Sequence, residues 1–212
     1  MSLDDSRNQT VFIVDDDPAI REGLADLLES AGRNTQQFGS AEEFLERWRP
    51  EMAGCLLLDV RLPGVNGMEL QGKLADSGMS IPVIIMTAHG DMPMVRKALK
   101  AGAIEFLIKP FEDDELLQAV EQGLEADSRL RRTDTLVSSI QARAETLTER
   151  ERQVLTLVAA GLTNKEIAER LYLSLVTIKL HRGQVMRKMQ AESLPDLVRM
   201  WEHISPSGGP EG

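Results

Sequence analysis

The chain has 212 residues, 24 Lys+Arg against 34 Asp+Glu and a formal charge of −10, a length that accommodates one or two domains. That charge argues against coating nucleic acid or anionic membrane along the whole molecule, the 4% aromatic content weakens any reading based on base stacking, and no apolar run approaches the ~18 residues of a membrane span. The single cysteine, Cys55, cannot form an internal disulfide and no secretory-type segment opens the chain, so a soluble protein of the reducing cytoplasm is expected.

Residues 1–9 read as a tail. The run Val11-Phe12-Ile13-Val14 has strand length and ends in Asp15-Asp16-Asp17. Asp17-Pro18 has the form of a helix cap with proline at the first helical position, and Ile20, Leu24, Leu27, Leu28 and Ala31 follow at helical spacing. Residues 34–38, NTQQF, are too polar for an interior strand and belong at a sheet edge. Cys55-Leu56-Leu57-Leu58 ends in Asp59, with Cys55 expected as a small buried residue. Gly64 and Gly67 follow, where a side chain would obstruct the turns beside Asp59. Val83-Ile84-Ile85-Met86 ends in Thr87, and His89 beyond it reads as polar loop surface. Ile104-Glu105-Phe106-Leu107-Ile108 ends at Lys109-Pro110.

Strands alternating with amphipathic helices imply an α/β, doubly wound parallel sheet covered on both faces. Ligands of such sheets bind beyond the carboxyl ends of the strands. Four strands, taken as interior, deliver Asp15/Asp16, Asp59, Thr87 and Lys109 there. Three carboxylates in one cleft repel one another, so a hard divalent cation is the economical partner, and Mg²⁺ suits carboxylate and phosphoryl oxygens best. With two carboxylates neutralised, a third can act as nucleophile toward a phosphoryl group, while an ammonium and a hydroxyl hold the phosphoryl oxygens.

The order Asp15-Asp16, Asp59, Thr87, Lys109-Pro110 resembles the receiver domain of two-component response regulators over residues 10–125. The stretches Asp59-Val60-Arg61-Leu62-Pro63-Gly64-Val65-Asn66-Gly67, Thr87-Ala88-His89-Gly90-Asp91 and residues 102–111, GAIEFLIKPF, are similar to the FixJ branch. The resemblance implies a (βα)5, flavodoxin-like fold in which a sensor histidine kinase donates a phosphoryl group to Asp59. It implies Mg²⁺ held directly by Asp16, Asp59 and the carbonyl of Arg61, with Asp15 acting through water or directly, a switch pair Thr87 and Phe106, Lys109 on the phosphoryl group, and a cis Lys109-Pro110 bond.

Residues 126–145 read as a helical linker, with acids at residues 112–115 in a first helical turn and a break expected near Asp127–Thr135. Its apolar positions suit dimer contacts or packing on its own domain equally well.

Charge then changes sign. Residues 1–127 hold 11 Lys+Arg against 24 Asp+Glu, a net of −13, whereas residues 146–212 hold 9 against 8, a net of +1. Within the latter, Ser174 to Gln190 carries Lys179, Arg182, Arg187 and Lys188 and no acid. This part reads as four short helices capped at Thr148, Thr163, Ser174 and Ser193, with Gly161 stopping the first and a tight turn at Tyr172-Leu173-Ser174, an order that matches helix-turn-helix architecture. Residues 147–155, LTERERQVL, residues 161–168, GLTNKEIA, and residues 174–182, SLVTIKLHR, resemble the LuxR/FixJ/NarL-type DNA-binding domain, over residues 146–204. That resemblance implies double-stranded DNA as partner, with Thr177, Lys179, Leu180, Arg182 and Gly183 facing it and Asn164, Lys165, Arg187 and Lys188 near phosphates; Gly183 stands where a polar or basic residue is often found. Residues 205–212, rich in Pro and Gly, are expected as a disordered tail.

Together the two resemblances imply a phosphorylation-switched transcription factor, not a turnover enzyme, which forms a homodimer on phosphorylation and acts with RNA polymerase, more often as activator. The competing class is a Mg²⁺-dependent phosphohydrolase with an Asp nucleophile; no insertion between the strands is long enough to supply the substrate cap such an enzyme needs.

Overall fold

A computed structural model describes residues 9–77, 79–88 and 92–205. The apolar runs form strands β1 (Thr10–Val14), β3 (Gly54–Asp59), β4 (Val83–Thr87) and β5 (Ala103–Ile108), and the polar run forms β2 (Asn34–Phe38). All pair in parallel in the order β2-β1-β3-β4-β5. β2 lies at the edge its polarity demands. β5 corrects the sequence expectation: it is the opposite edge, paired only with β4, and its middle residues are half-buried. Its composition matches that of an interior strand because both faces still pack on a core, Ala103 and Phe106 on one side and Leu107 on the other.

Helices α1 (Pro18–Ser30), α2 (Ala41–Arg47), α3 (Gly67–Asp76), α4 (Met92–Lys100) and α5 (Asp113–Glu145) connect and follow the strands. The period-2 alternation of β1 and β3 divides the interior into two cores. Phe12, Val14, Leu56 and Leu58 face α2, α3 and α4, where Phe38, Phe44 and Trp48 complete an aromatic cluster. Val11, Ile13, Cys55 and Leu57 face α1 and the start of α5 through Leu24, Leu28, Leu116 and Val120. Burial pushes the Cys55 thiol far up, so it is an inert packing group.

The expected break near Asp127–Thr135 does not occur, since α5 runs unbroken through it. No proline interrupts this stretch, and Arg131 reaches back one turn to the Asp127 carboxylate with its Nε 3.0 Å from both oxygens. The chain divides into two compact units at Arg131/Arg132, so the first unit extends past residue 125. Gln9, read from sequence as tail, is buried in that unit, its Nε2 donating to the Leu124 carbonyl at 2.8 Å and to Asp127 Oδ2 at 2.9 Å.

The second unit contains α6 (Glu149–Ala159), α7 (Asn164–Leu171), α8 (Leu175–Met189) and α9 (Leu194–Ile204) around Val154, Leu155, Ile167, Ile178, Val185 and Leu197, joined by Ile140 and Ala144 from the end of α5. Each of the four caps read from sequence is formed. Thr148 and Thr163 make complete capping boxes with Glu151 and Glu166, and Ser174 and Ser193 accept from Thr177 N and Asp196 N. Tyr172 ends α7 in the left-handed conformation, φ 53°, which makes the turn between α7 and α8. Of the expected C-terminal tail, Ser205 caps α9, while residues 206–212 lie outside the described residues, as do residues 1–8 of the N-terminal one. No helix among the described residues is long and apolar enough to cross a membrane.

Candidate functional site

Parallel strands carry their following residues to one end of the sheet. There Asp15 follows β1, Asp59 and Thr87 end β3 and β4, and Lys109 follows β5. The Lys109 ammonium lies 2.6 Å from Asp15 Oδ2 and 2.7 Å from Asp59 Oδ1. Asp15 and Asp59 are buried, 1% and 6% exposed, and Thr87 is buried beside them. The other oxygens of the two carboxylates take backbone donors: Arg61 N donates to Asp59 Oδ2 at 2.6 Å, and Asp17 N to Asp15 Oδ1 at 2.9 Å. The Lys109–Pro110 bond is cis, and Lys109 N donates to the Thr87 carbonyl at 2.7 Å, which joins the ends of β4 and β5.

The consecutive acids of the first loop separate by role. Asp15 points into the site, and Asp17 caps α1 by accepting from Ala19 N at 2.9 Å. Asp16 is exposed and lines an open cleft of about 890 Å³ with Arg61, Asn66, Glu69 and Lys97 among others. The glycines after Asp59 act differently from each other. Gly64 has φ 79°, whereas Gly67 permits close approach, because a Cβ there would stand 2.2 Å from the Asp59 carbonyl oxygen. Phe106 is half-buried and packed against the α2–α4 core. His89 lies outside the described residues.

Two carboxylates share one ammonium, which leaves the buried cluster short of positive charge. Burial, aided by the charge of Asp15, raises the Asp59 carboxyl above its ordinary value despite Lys109 and the Arg61 amide. Burial alone would lower Lys109, but the hydrogen bonds it donates to Asp15 and Asp59, with their negative charges, outweigh it and hold the ammonium charged. The donors are hard oxygens of the kind Mg²⁺ takes, and the charge deficit has the right sign. Among the described residues no three metal-binding side chains are already gathered at ligand spacing; the Lys109 ammonium is the cation paired with Asp15 and Asp59.

In the second unit the basic stretch is α8. Lys179, Leu180, Gly183 and Arg187 are exposed on it, Thr177 is half-buried in its first turn, and Lys165 is exposed on α7. Three other expected contacts, Arg182, Asn164 and Lys188, are engaged within the fold. The Arg182 guanidinium donates to Asn164 Oδ1 and ties α8 to the start of α7. Lys188 donates to Glu151 Oε2 at 2.6 Å and to the Thr146 carbonyl at 2.9 Å. Sequence reasoning missed both pairings, and it missed the contact of Asp127 with Gly54 N at 2.9 Å. Burial pushes the Glu151 carboxyl up, but Lys188 and the Thr148 hydrogen bonds outweigh burial and hold it below its ordinary value. A lowered folded-state value contributes stability above the unfolded one and loses it as pH falls through the folded one. Lys188→Met should therefore cost the helical unit about 1–2 kcal/mol at pH 7. In thermal unfolding the deficit should shrink below roughly pH 4.5.

A parallel α/β domain with a buried carboxylate–lysine cluster, followed by a helix-turn-helix unit, defines the class of signal-receiving transcriptional regulators. The chain matches the response regulator receiver domain over residues 11–121 and the luxR family of bacterial regulatory proteins over residues 145–201. It is 46% identical over 202 residues to Nodulation protein W of Bradyrhizobium diazoefficiens, covering 95% of this chain and 89% of that protein. It is 45% identical over 191 residues to the transcriptional regulatory protein FixJ of Rhizobium meliloti, covering 90% of this chain and 94% of that one. Among solved structures, the response regulator StyR superposes with a TM-score of 0.79 at 48% identity, covering 92% of this chain and 98% of that chain. The chain belongs to the two-component response regulators that join a receiver domain to a LuxR-type DNA-binding domain.

Proposed function

We propose that Asp59 accepts a phosphoryl group from a phosphohistidine of a sensor histidine kinase, and that this modification drives dimerisation and operator binding. The observation that carries this reading is the Lys109 ammonium held between Asp15 and Asp59 at the end of the sheet. A carboxylate oxygen of Asp59 attacks phosphorus, an O–P bond forms, and the N–P bond to the imidazole breaks with the nitrogen keeping the electron pair. Lys109 follows the developing charge from the Asp59 oxygen onto a phosphoryl oxygen, and the Thr87 hydroxyl donates to another. Asp15, Asp16, Asp59 and the Arg61 carbonyl would hold Mg²⁺, which when bound neutralises the carboxylates and polarises the phosphoryl group.

Movement of Thr87 toward the phosphate leaves room for the Phe106 ring to turn further inward. That movement reshapes residues 95–101 and 105–111, the face proposed for the dimer. Paired DNA-binding domains then engage two half-sites, and the protein activates transcription together with RNA polymerase in the cytoplasm. On the DNA, Thr177, Lys179, Leu180, Arg182 and Gly183 face the groove while Asn164, Lys165 and Arg187 lie near phosphates; Lys188, neutralised by Glu151, contributes less.

Incubation with a small phosphodonor and Mg²⁺ tests the phosphoryl step. One stable phosphoryl group per chain is expected, lost in Asp59→Asn. Turnover of diverse phosphate esters with no stable adduct would reject the reading in favour of a hydrolase.

A further inference from the structure

Helix α8 turns its buried residues Ile178, Val185 and Met189 toward the core of its unit. At 100° per residue the opposite stripe is Val176, Leu180, Gly183 and Arg187. Two members of this stripe are apolar and open to solvent, Val176 at 77% and Leu180 at 62% exposure. A Cβ built on Gly183 meets nothing within 4 Å, so the helix is bare one turn further on. An exposed valine and leucine on the most basic stretch of the chain have no part in the core, and phosphates offer them nothing.

The surface complementary to this stripe is the major groove. The cations around it, Lys179 and Arg187 on α8 and Lys165 on α7, match phosphates, and the one apolar feature that base pairs present in the groove is the C5-methyl group of thymine. The N-terminal residues of a recognition helix are those that reach base edges, and Val176 sits in the first turn of α8. Val176 and Leu180 are separated by about 6 Å along the helix, close to two base steps of ~3.4 Å. The absence of a side chain at Gly183 lets the backbone of the next turn approach the groove without holding the helix away.

We propose that Val176 and Leu180 are specificity-determining residues that read thymine methyl groups about two base steps apart in each half-site, with Gly183 permitting the close approach. This deepens the DNA-binding reading and rests on it. Val176 is the new assignment, because neither capping nor packing requires an apolar residue there.

The test uses the full chain, incubated with a small phosphodonor and Mg²⁺, to select duplexes from a random pool, followed by replacement of each thymine in the selected site by deoxyuridine. That replacement removes the methyl group and nothing else. Wild type should lose about fourfold in affinity at each of two positions per half-site, the transfer value of one buried CH₂. Val176→Ala should be indifferent to uracil at one of these positions and Leu180→Ala at the other. Helicity of both variants should equal wild type, since neither residue is buried. Wild-type binding that ignores every uracil replacement overturns the proposal while leaving DNA binding intact, as does a Val176→Ala variant with an unchanged uracil response. Failure of wild type to enrich any sequence overturns it together with the DNA-binding reading beneath it.

Discussion

Lys109→Met is expected to slow phosphoryl acceptance on Asp59 by about 10²–10³-fold, the usual loss when one preorganised donor to a developing oxyanion is removed. The ammonium stands within 2.7 Å of the nucleophile and already carries its charge in a buried setting, so it need not be recruited during the reaction. Without it, Asp15 and Asp59 face each other uncompensated, and the Asp59 carboxyl, already raised by burial, rises further toward a protonated and non-nucleophilic form. The rate should therefore fall most at low pH and recover partly as pH increases. Time courses of labelling by a small phosphodonor across pH 5–9 measure both effects. A rate within twofold of wild type would show that Lys109 is a passive counterion.

Asp127→Ala should destabilise the receiver unit by about 2–4 kcal/mol, chiefly because buried donors lose their acceptor at about 1–3 kcal/mol each, while the partly exposed Arg131 contributes less. Asp127 is 1% exposed and accepts from Gln9 Nε2, Gly54 N and Arg131 Nε. Its loss strips the Gly54 amide of its side-chain acceptor and removes the charge opposing Arg131, whose other donors hold the carbonyls of Pro50 and Met52. The same contacts bind α5 to the start of β1 and β3, so the variant should also loosen the helix where the first unit ends. Urea unfolding followed by circular dichroism measures the loss, and Asp127→Asn, which keeps an acceptor, should regain part of it. A loss under 1 kcal/mol would remove this network from the account.

What could be read from sequence was local. Apolar runs ending in Asp59, Thr87 and Lys109 gave strands and placed their functional ends together, because a parallel sheet allows no other arrangement. Caps at Thr148, Thr163, Ser174 and Ser193 were legible because the signal and the bond lie within three residues. Pairings over long separations left no such trace. Gln9 and Asp127 lie 118 positions apart, and Glu151 and Lys188 lie 37 apart. Nothing local marks Gln9 as other than tail, and the resemblance that places Lys188 near phosphates carries no trace of Glu151. The edge position of β5 was hidden for a different reason, since both of its faces pack on a core, Ala103 and Phe106 on one side and Leu107 on the other, and an edge strand so covered has the composition of an interior one. The continuity of α5 depended on contacts across the Arg131 turn that composition does not reveal.

The formal charge of −10 combines −13 in residues 1–127, +2 in residues 128–145 and +1 in residues 146–212, and it predicts weak DNA binding by a monomer whose receiver repels phosphates. The most direct test is operator affinity of the full chain at ~150 mM salt, with and without a phosphoryl group on Asp59, with oligomeric state followed in the same samples. Phosphorylation should convert monomer to dimer and tighten binding, and Asp59→Ala should remain monomeric and weak. Equally tight binding of the same sites by the unphosphorylated monomer or by Asp59→Ala would contradict control through Asp59.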